Sequence, residues 1–343
     1  MLKYLVLTAF SITSTFSIPS SALRETLRAT GALPAHVAGS FEEIAACHIT
    51  PDNDYLVFDR RGHAVYRVAQ NGEGAARKLL QIGVEPGRIL SPIAFASHPD
   101  GSFIVADAPG GQERIQIFSY LGASLGGFWL PVKSVPRVTL GDLVLSGVGS
   151  VDYTSRTILV SQPDVTGALI TEYAADGRTL RTFGNLRNTG HEGDNDLHLA
   201  LNGGLPLAIP GGGFYYIFIA GVPAFRKYDA EGALLFERHI EGPEIDPHLR
   251  AMPTTWPRRK TRAGIFPLVP STVRTAAVDA AGSLWISLAA PHTYVYDADG
   301  DKRRVIQFRG AGILSPSDLF FTKDGRLVVA PGCYVFQRAL PDR

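Results

Sequence analysis

The chain is short of the features that build helical bundles and membrane spans. Its 343 residues hold two methionines, two cysteines and three tryptophans. No long amphipathic helical pattern is present, which counts against a helix bundle. Beyond the first two dozen residues no apolar run approaches the ~20 residues that span a bilayer. Charge of either sign is also not in excess: Lys plus Arg number 33 and Asp plus Glu 32, a formal net charge of +1. Such a balance makes no global field for nucleic acid or an anionic membrane. What the chain has instead is turn chemistry, with 36 glycines and 23 prolines, on a globular background of 45% hydrophobic and 19% charged residues.

The first segment reads as an export signal. Met1-Leu2-Lys3 gives a short positive start, residues 4–10 are apolar, and Ser20-Ser21-Ala22 offers the small residues that a signal peptidase needs. Removal of residues 1–22 leaves a single domain of residues 23–343, expected to be monomeric and either secreted or periplasmic. No cysteine follows the apolar run, so a lipid anchor is not expected. Cys47 and Cys333 are the two cysteines. In an exported protein they either pair or pack as two separately buried thiols.

Internal repeats organise the rest. An apolar strand, an Asp-Gly-type turn and a second strand recur around Pro99-Asp100-Gly101, Ala281-Gly282 and Lys323-Asp324-Gly325. A second kind of hairpin recurs around Ala175-Asp176-Gly177, Ala230-Glu231-Gly232 and Ala298-Asp299-Gly300. Such turns between β-branched and aromatic runs are strong hairpin signals. Six units follow, near residues 43–83, 92–130, 147–184, 196–240, 272–309 and 316–338. A period of 40–50 residues suits four-stranded blades. The expected fold is therefore all-β, a six-bladed β-propeller of four-stranded antiparallel blades. The sixth unit lacks a fourth strand, and Thr26-Leu27-Arg28-Ala29-Thr30-Gly31 resembles the outer strand at 179–184, so an N-terminal strand is expected to close the last blade. Cys47 and Cys333 then lie in neighbouring blades, where a disulfide would staple the ring.

Phe103-Ile104-Val105-Ala106-Asp107 followed by Arg114-Ile115-Gln116-Ile117-Phe118 resembles the repeat of NHL propellers and of the wider TolB-like six-bladed group. The likeness spans most of the mature chain. It implies architecture and not activity, because such propellers include binding platforms, lactonases, lyases and assembly factors.

Three long segments, 130–147, 185–197 and the proline-rich insertion 241–271, fall on one face of such a ring, and loops of that length are commonly functional. The channel mouth on that face is the expected site. His191, Glu192, Asp194, Asp196 and His198 form the densest group of potential metal ligands. The carboxylates suit Ca²⁺ and the histidines Zn²⁺, while a solvated polar loop is the plain alternative. The insertion carries Trp256-Pro257-Arg258-Arg259-Lys260, suited to a lid or an anionic partner. Asp59, Arg60, Asp107, Gln162, Asp164 and His292 lie in or beside loops between second and third strands, while Arg274 and Asp318 start inner strands and face the channel. Of these, Asp59, Asp107, Asp164, Arg274, His292 and Asp318 are the candidate ligand-binding residues. Hydrogen bonding to nearby backbone is their competing role. The serine motifs around Ser124 and Ser150 lie in all-β surroundings, unlike a nucleophile elbow. Two functions remain: a propeller that binds a small molecule, a peptide or a protein at the channel mouth, or a metal-dependent hydrolase or lyase of the six-bladed class.

Overall fold

The computed structural model describes residues 22–337, apart from 71–73, 132–136, 140–142, 146–149, 155, 164–166 and 262–263. Residues 1–21, which carry nearly all of the expected signal, lie outside the described residues, and so does Asp164.

Six antiparallel sheets follow one another along the chain. Blade 1 comprises Ile44–Ile49, Tyr55–Asp59, Ala64–Val68 and Arg77–Lys78. Blade 2 comprises Pro92–His98, Ser102–Asp107, Arg114–Ser119 and Ser124–Trp129. Blade 3 comprises Val151–Tyr153, Thr157–Ser161, Ala168–Ala174 and Thr179–Asn185. Blade 4 comprises Gly204–Ala208, Phe214–Phe218, Ala224–Tyr228 and Leu234–His239. Blade 5 comprises Val273–Val278, Leu284–Leu288, Thr293–Tyr296 and Lys302–Arg309. Blade 6 comprises Asp318–Phe321, Leu327–Ala330 and Tyr334–Phe336. The second strands of blades 1, 2, 4 and 5 are buried at every residue, as strands covered on both faces must be.

The apolar core consists of seams between blades. One seam joins Tyr215, Ile217 and Phe225 of blade 4 to Leu284, Ile286 and Tyr294 of blade 5. Corresponding seams join each other neighbouring pair, including blade 6 to blade 1 through Val328, Ala330 and Cys333 against Cys47, Tyr55 and Val57. Full burial of each large side chain contributes about 1.5–3 kcal/mol, so the seams hold the ring together.

The turns of the second kind of hairpin, at Gly177, Gly232 and Gly300, have a packing reason as well as a conformational one. Gly177 has φ +87°, and a Cβ there would sit 2.5 Å from Phe128 of the preceding blade's outer strand. Gly300 has φ +84° and would meet Phe236 at 2.8 Å. Each turn thus lies on an aromatic ring of the blade before it. Only glycine fits both the left-handed backbone and the close approach.

Ring closure differs in detail from the expectation. Leu23–Arg28 runs parallel to Lys302–Arg309 and becomes a fifth strand of blade 5. The bidentate pair of Arg304 with Glu25, at 2.7 and 2.6 Å, fixes its register. The chain then crosses to blade 6, where Thr30 N–H donates to the Val335 carbonyl and Val335 N–H to that of Gly31. The N-terminal segment therefore closes the last blade through residues 30 and 31 and clasps the blade before it through 23–28. Cys47 and Cys333 form a disulfide with a Cα–Cα distance of 5.5 Å, across the same junction of first and last blades.

Candidate functional site

The inner strands enclose a channel cavity of about 390 Å³. Its wall mixes apolar side chains, Phe58, Phe95, Leu205, Leu207, Phe320 and Phe321 among them, with the polar groups of His48, Arg60, Ser97, Asp152, Arg274 and Asp318.

Blades 6, 1 and 2 bring three of these groups into one chain of contacts. His48 Nδ1 lies 2.6 Å from Ser97 Oγ, and His48 Nε2 lies 3.3 Å from Asp318 Oδ2. The same carboxylate oxygen accepts the Cys47 N–H at 3.3 Å. A carboxylate can only accept, so in the tautomer with hydrogen on Nε2 that hydrogen faces Asp318. Nδ1 of the neutral ring then accepts from the Ser97 hydroxyl. The imidazole stacks on Phe320, with ring centres 4.0 Å apart, and meets Phe95 edge-on at 5.0 Å. Its orientation is thus set by one hydrogen bond, the nearby Asp318 carboxylate and two rings. The buried phenol of Tyr120 stands beside Ser97 and donates to the His98 carbonyl at 2.7 Å.

Blades 3, 5 and 1 supply the other charged groups. Asp152 accepts N–H bonds from Ala208 at 2.7 Å and Tyr153 at 2.9 Å. Burial nevertheless pushes its carboxyl above the usual range, the donors offsetting only part of the desolvation. Arg274 donates from Nε to the Pro316 carbonyl at 3.1 Å. Among the described residues no ion pair joins it to a carboxylate, and burial lowers its pKa. Arg60, by contrast, is held by Glu43 through Nε at 3.1 Å and a second, shorter bond.

The expected site residues divide sharply. Arg274 and Asp318 line the channel. Asp59 does not: its buried carboxylate accepts from the N–H groups of Glu42, Glu43 and Gly62 and so organises a loop. Asp107 is fully buried in a bidentate pair with Arg114, at 2.8 and 2.9 Å, and also accepts from Leu90 N–H. Gln162 is buried beside the Tyr173 hydroxyl at 3.4 Å. His292 sits in the turn before Thr293–Tyr296, with Nδ1 buried and unpartnered. None of these four lines the cavity.

The potential metal ligands are spread over a folded element. The segment expected to be a polar loop contains a helix, Asn195–Leu201, whose N-cap is Asp194; the Asp194 carboxylate accepts Leu197 N–H, and Leu197, Leu199, Ala200 and Leu201 are buried. Asp194 is also paired with Arg258, which holds its carboxyl below the usual range. His191 Nε2 accepts from Trp256 Nε1 at 3.2 Å. His198 Nδ1 lies 2.7 Å from Thr189 Oγ1. Asp196 is the acidic residue of the helix's first turn. Among the described residues no group of three or more His, Cys, Asp or Glu is placed to hold a metal ion. The insertion 241–271 folds as a short helix, Asp246–Arg250, and a hairpin of Arg258–Thr261 with Gly264–Pro267. Its Val269 and Trp256 pack on Leu197, Ala200 and Leu201. Two of the long segments therefore form one buttress over blade 4.

Sequence reasoning missed His48 and Ser97. Each follows a run of apolar residues in its strand and reads as core; the signal available was position alone, one residue before the end of an inner strand in consecutive blades. Ser150, which carried a serine motif, donates to the Gly204 carbonyl at 3.0 Å and ties blade 3 to blade 4.

No family model and no curated protein sequence matches the chain. Among solved structures, a gluconolactonase from Xanthomonas campestris superposes with a TM-score of 0.51 at 14% identity, covering 94% of this chain and 98% of that one. A streptogramin B lyase superposes with a TM-score of 0.50 at 11% identity, covering 87% and 94%. Virginiamycin B lyase from Staphylococcus aureus gives 0.48 at 12% identity, covering 84% and 78%. At such identities the likeness is one of architecture, and the chain takes its place among six-bladed β-propellers.

Proposed function

We propose that this propeller is an exported binding protein that takes a small organic anion with an apolar or aromatic body into its channel. The observation that carries the reading is Arg274, a half-buried guanidinium that faces the cavity without a carboxylate among the described residues. Burying a charge without a counter-charge is costly, and a ligand carboxylate, sulfonate or phosphate would relieve that cost. Phe58, Phe95, Phe320 and Phe321 supply the apolar wall. The cavity volume falls at the low end of ordinary ligand pockets. The Cys47–Cys333 disulfide and the absence, among the described residues, of a helix long and apolar enough to cross a membrane are compatible with export.

The test is calorimetric titration of 4-phenylbutyrate, its sulfonate analogue and its neutral amide into wild type and Arg274→Met. Charge-assisted hydrogen bonds are worth about 1.5–3 kcal/mol, roughly a 10–100-fold change in affinity. The reading expects the anions to bind, the amide to bind that much more weakly, and Arg274→Met to erase the difference. Failure of every anion to bind, or an anion affinity in Arg274→Met equal to that of wild type, would sink it.

A further inference from the structure

From the contacts of Ser97, His48 and Asp318 we infer that the channel is also an acyl-transfer site, with Ser97 as nucleophile and His48 as general base. The inference rests on the ligand reading above and names the substrate class: carboxylic esters whose acyl part carries a second, anionic group. The three side chains come from inner strands of blades 2, 1 and 6, and all line the cavity. Serine needs an adjacent base within hydrogen-bond reach, and the base needs a third group to orient it and to stabilise its cationic form. Ser97 Oγ to His48 Nδ1 is 2.6 Å, and His48 Nε2 to Asp318 Oδ2 is 3.3 Å. The two ring nitrogens are exchanged relative to the familiar serine-protease arrangement, but the roles are unchanged: one accepts a proton while the other faces the carboxylate.

The substrate's shape follows from the ring. Blade 5 stands across the six-bladed circle from blade 2; Arg274 is the second residue of its inner strand and Ser97 the last but one of its own, so a substrate that reaches both must span the channel obliquely. An anionic end held by Arg274 presents an ester carbonyl at the far end to Ser97. In the first step Ser97 Oγ bonds to the carbonyl carbon and its proton passes to His48 Nδ1. The tetrahedral adduct collapses, the ester C–O bond breaks, and the leaving alcohol takes that proton. Water then attacks the acyl-serine, giving its proton to His48. The acid departs, the proton returns to Ser97 Oγ, and the sum is ester plus water to acid plus alcohol. No metal or redox partner is required.

The experiment uses mono-4-nitrophenyl glutarate as substrate and glutaric acid mono-anilide as its stable counterpart, with the mature protein. Intact-mass spectrometry at early times should show a glutaryl adduct that maps to Ser97, accompanied by a burst of nitrophenolate. Ser97→Ala should lose the adduct and fall to within about tenfold of the buffer rate, while binding the mono-anilide within a factor of about three of wild type. His48→Gln should likewise bind and not turn over. Labelling of the unmodified protein needs no variant, so a variant that fails to fold leaves the test intact. Binding of the mono-anilide with no adduct on Ser97 overturns the acyl-transfer inference and leaves the ligand reading standing. Failure of the mono-anilide to bind overturns both.

Discussion

The backbone N–H of Cys47 donates to Asp318 Oδ2 at 3.3 Å, while the sulfur of the same residue is bonded to Cys333. The staple that joins first and last blades is therefore one residue from His48, which meets the same carboxylate. Ring closure and channel geometry are one piece of structure.

That coupling predicts a double effect of losing the disulfide. Its sequence separation is 286 residues, and a loop of that size puts the chain-entropy contribution at roughly 5–6 kcal/mol. Cys47→Ala/Cys333→Ala should lower the urea midpoint accordingly and also weaken 4-phenylbutyrate binding. Equal midpoints for the variant and the oxidised wild type would show that the seam between blades 6 and 1 closes the ring unaided.

Gly177→Ala should destabilise by more than an ordinary turn substitution. The new methyl must tolerate φ +87° and a 2.5 Å approach to Phe128, for which about 2–4 kcal/mol is expected from strain and overpacking together. Gly101→Ala, with φ +100° and nothing within 4 Å of the added carbon, should cost only the conformational part, on the order of 1 kcal/mol. Thermal unfolding of the two variants checks the difference; equal losses would mean that interblade packing does not select glycine at position 177.

The buttress over blade 4 should loosen in acid. The hydrogen bond from Arg258, followed by the Leu197 N–H donor, holds the Asp194 carboxyl below its usual value. A carboxyl depressed in the folded state contributes stability that is present above its unfolded pKa of about 3.9 and is lost as pH falls through the folded one. The pair is partly exposed, so after screening its share is under about 1 kcal/mol. Amide exchange of residues 194–201 should accelerate relative to the blades between pH 5 and pH 2, and Asp194→Asn should show that faster exchange already at pH 7. Unchanged relative protection over that range would remove Asp194 from the account.

The blades were legible because Asp-Gly turns and apolar runs are local signals, and Gly177 and Gly300 sit where the repeat pattern put them. The pairing of Leu23–Arg28 was not, since a parallel partner about 280 positions away is set by ring geometry and by Glu25 reaching Arg304. The acids at strand ends looked alike in sequence. Only packing shows that Asp59 and Asp107 turn into local hydrogen-bond networks while Asp318 turns into the channel. The segment from His191 to His198 read as a polar loop because its polar residues are contiguous in sequence. In the fold, Asp194 caps a helix whose Leu197 and Leu201 are buried, which spreads the same polar groups among separate partners. His48 and Ser97 gain meaning only when blades 6, 1 and 2 are placed side by side.

The most direct test of the central claim is the structure of crystals soaked with 4-phenylbutyrate. The account predicts the carboxylate on Arg274 and the phenyl ring among Phe58, Phe95, Phe320 and Phe321. Density for the ligand only against the buttress of 185–201 and 241–271, or on an outer strand, with the channel unchanged, would contradict it.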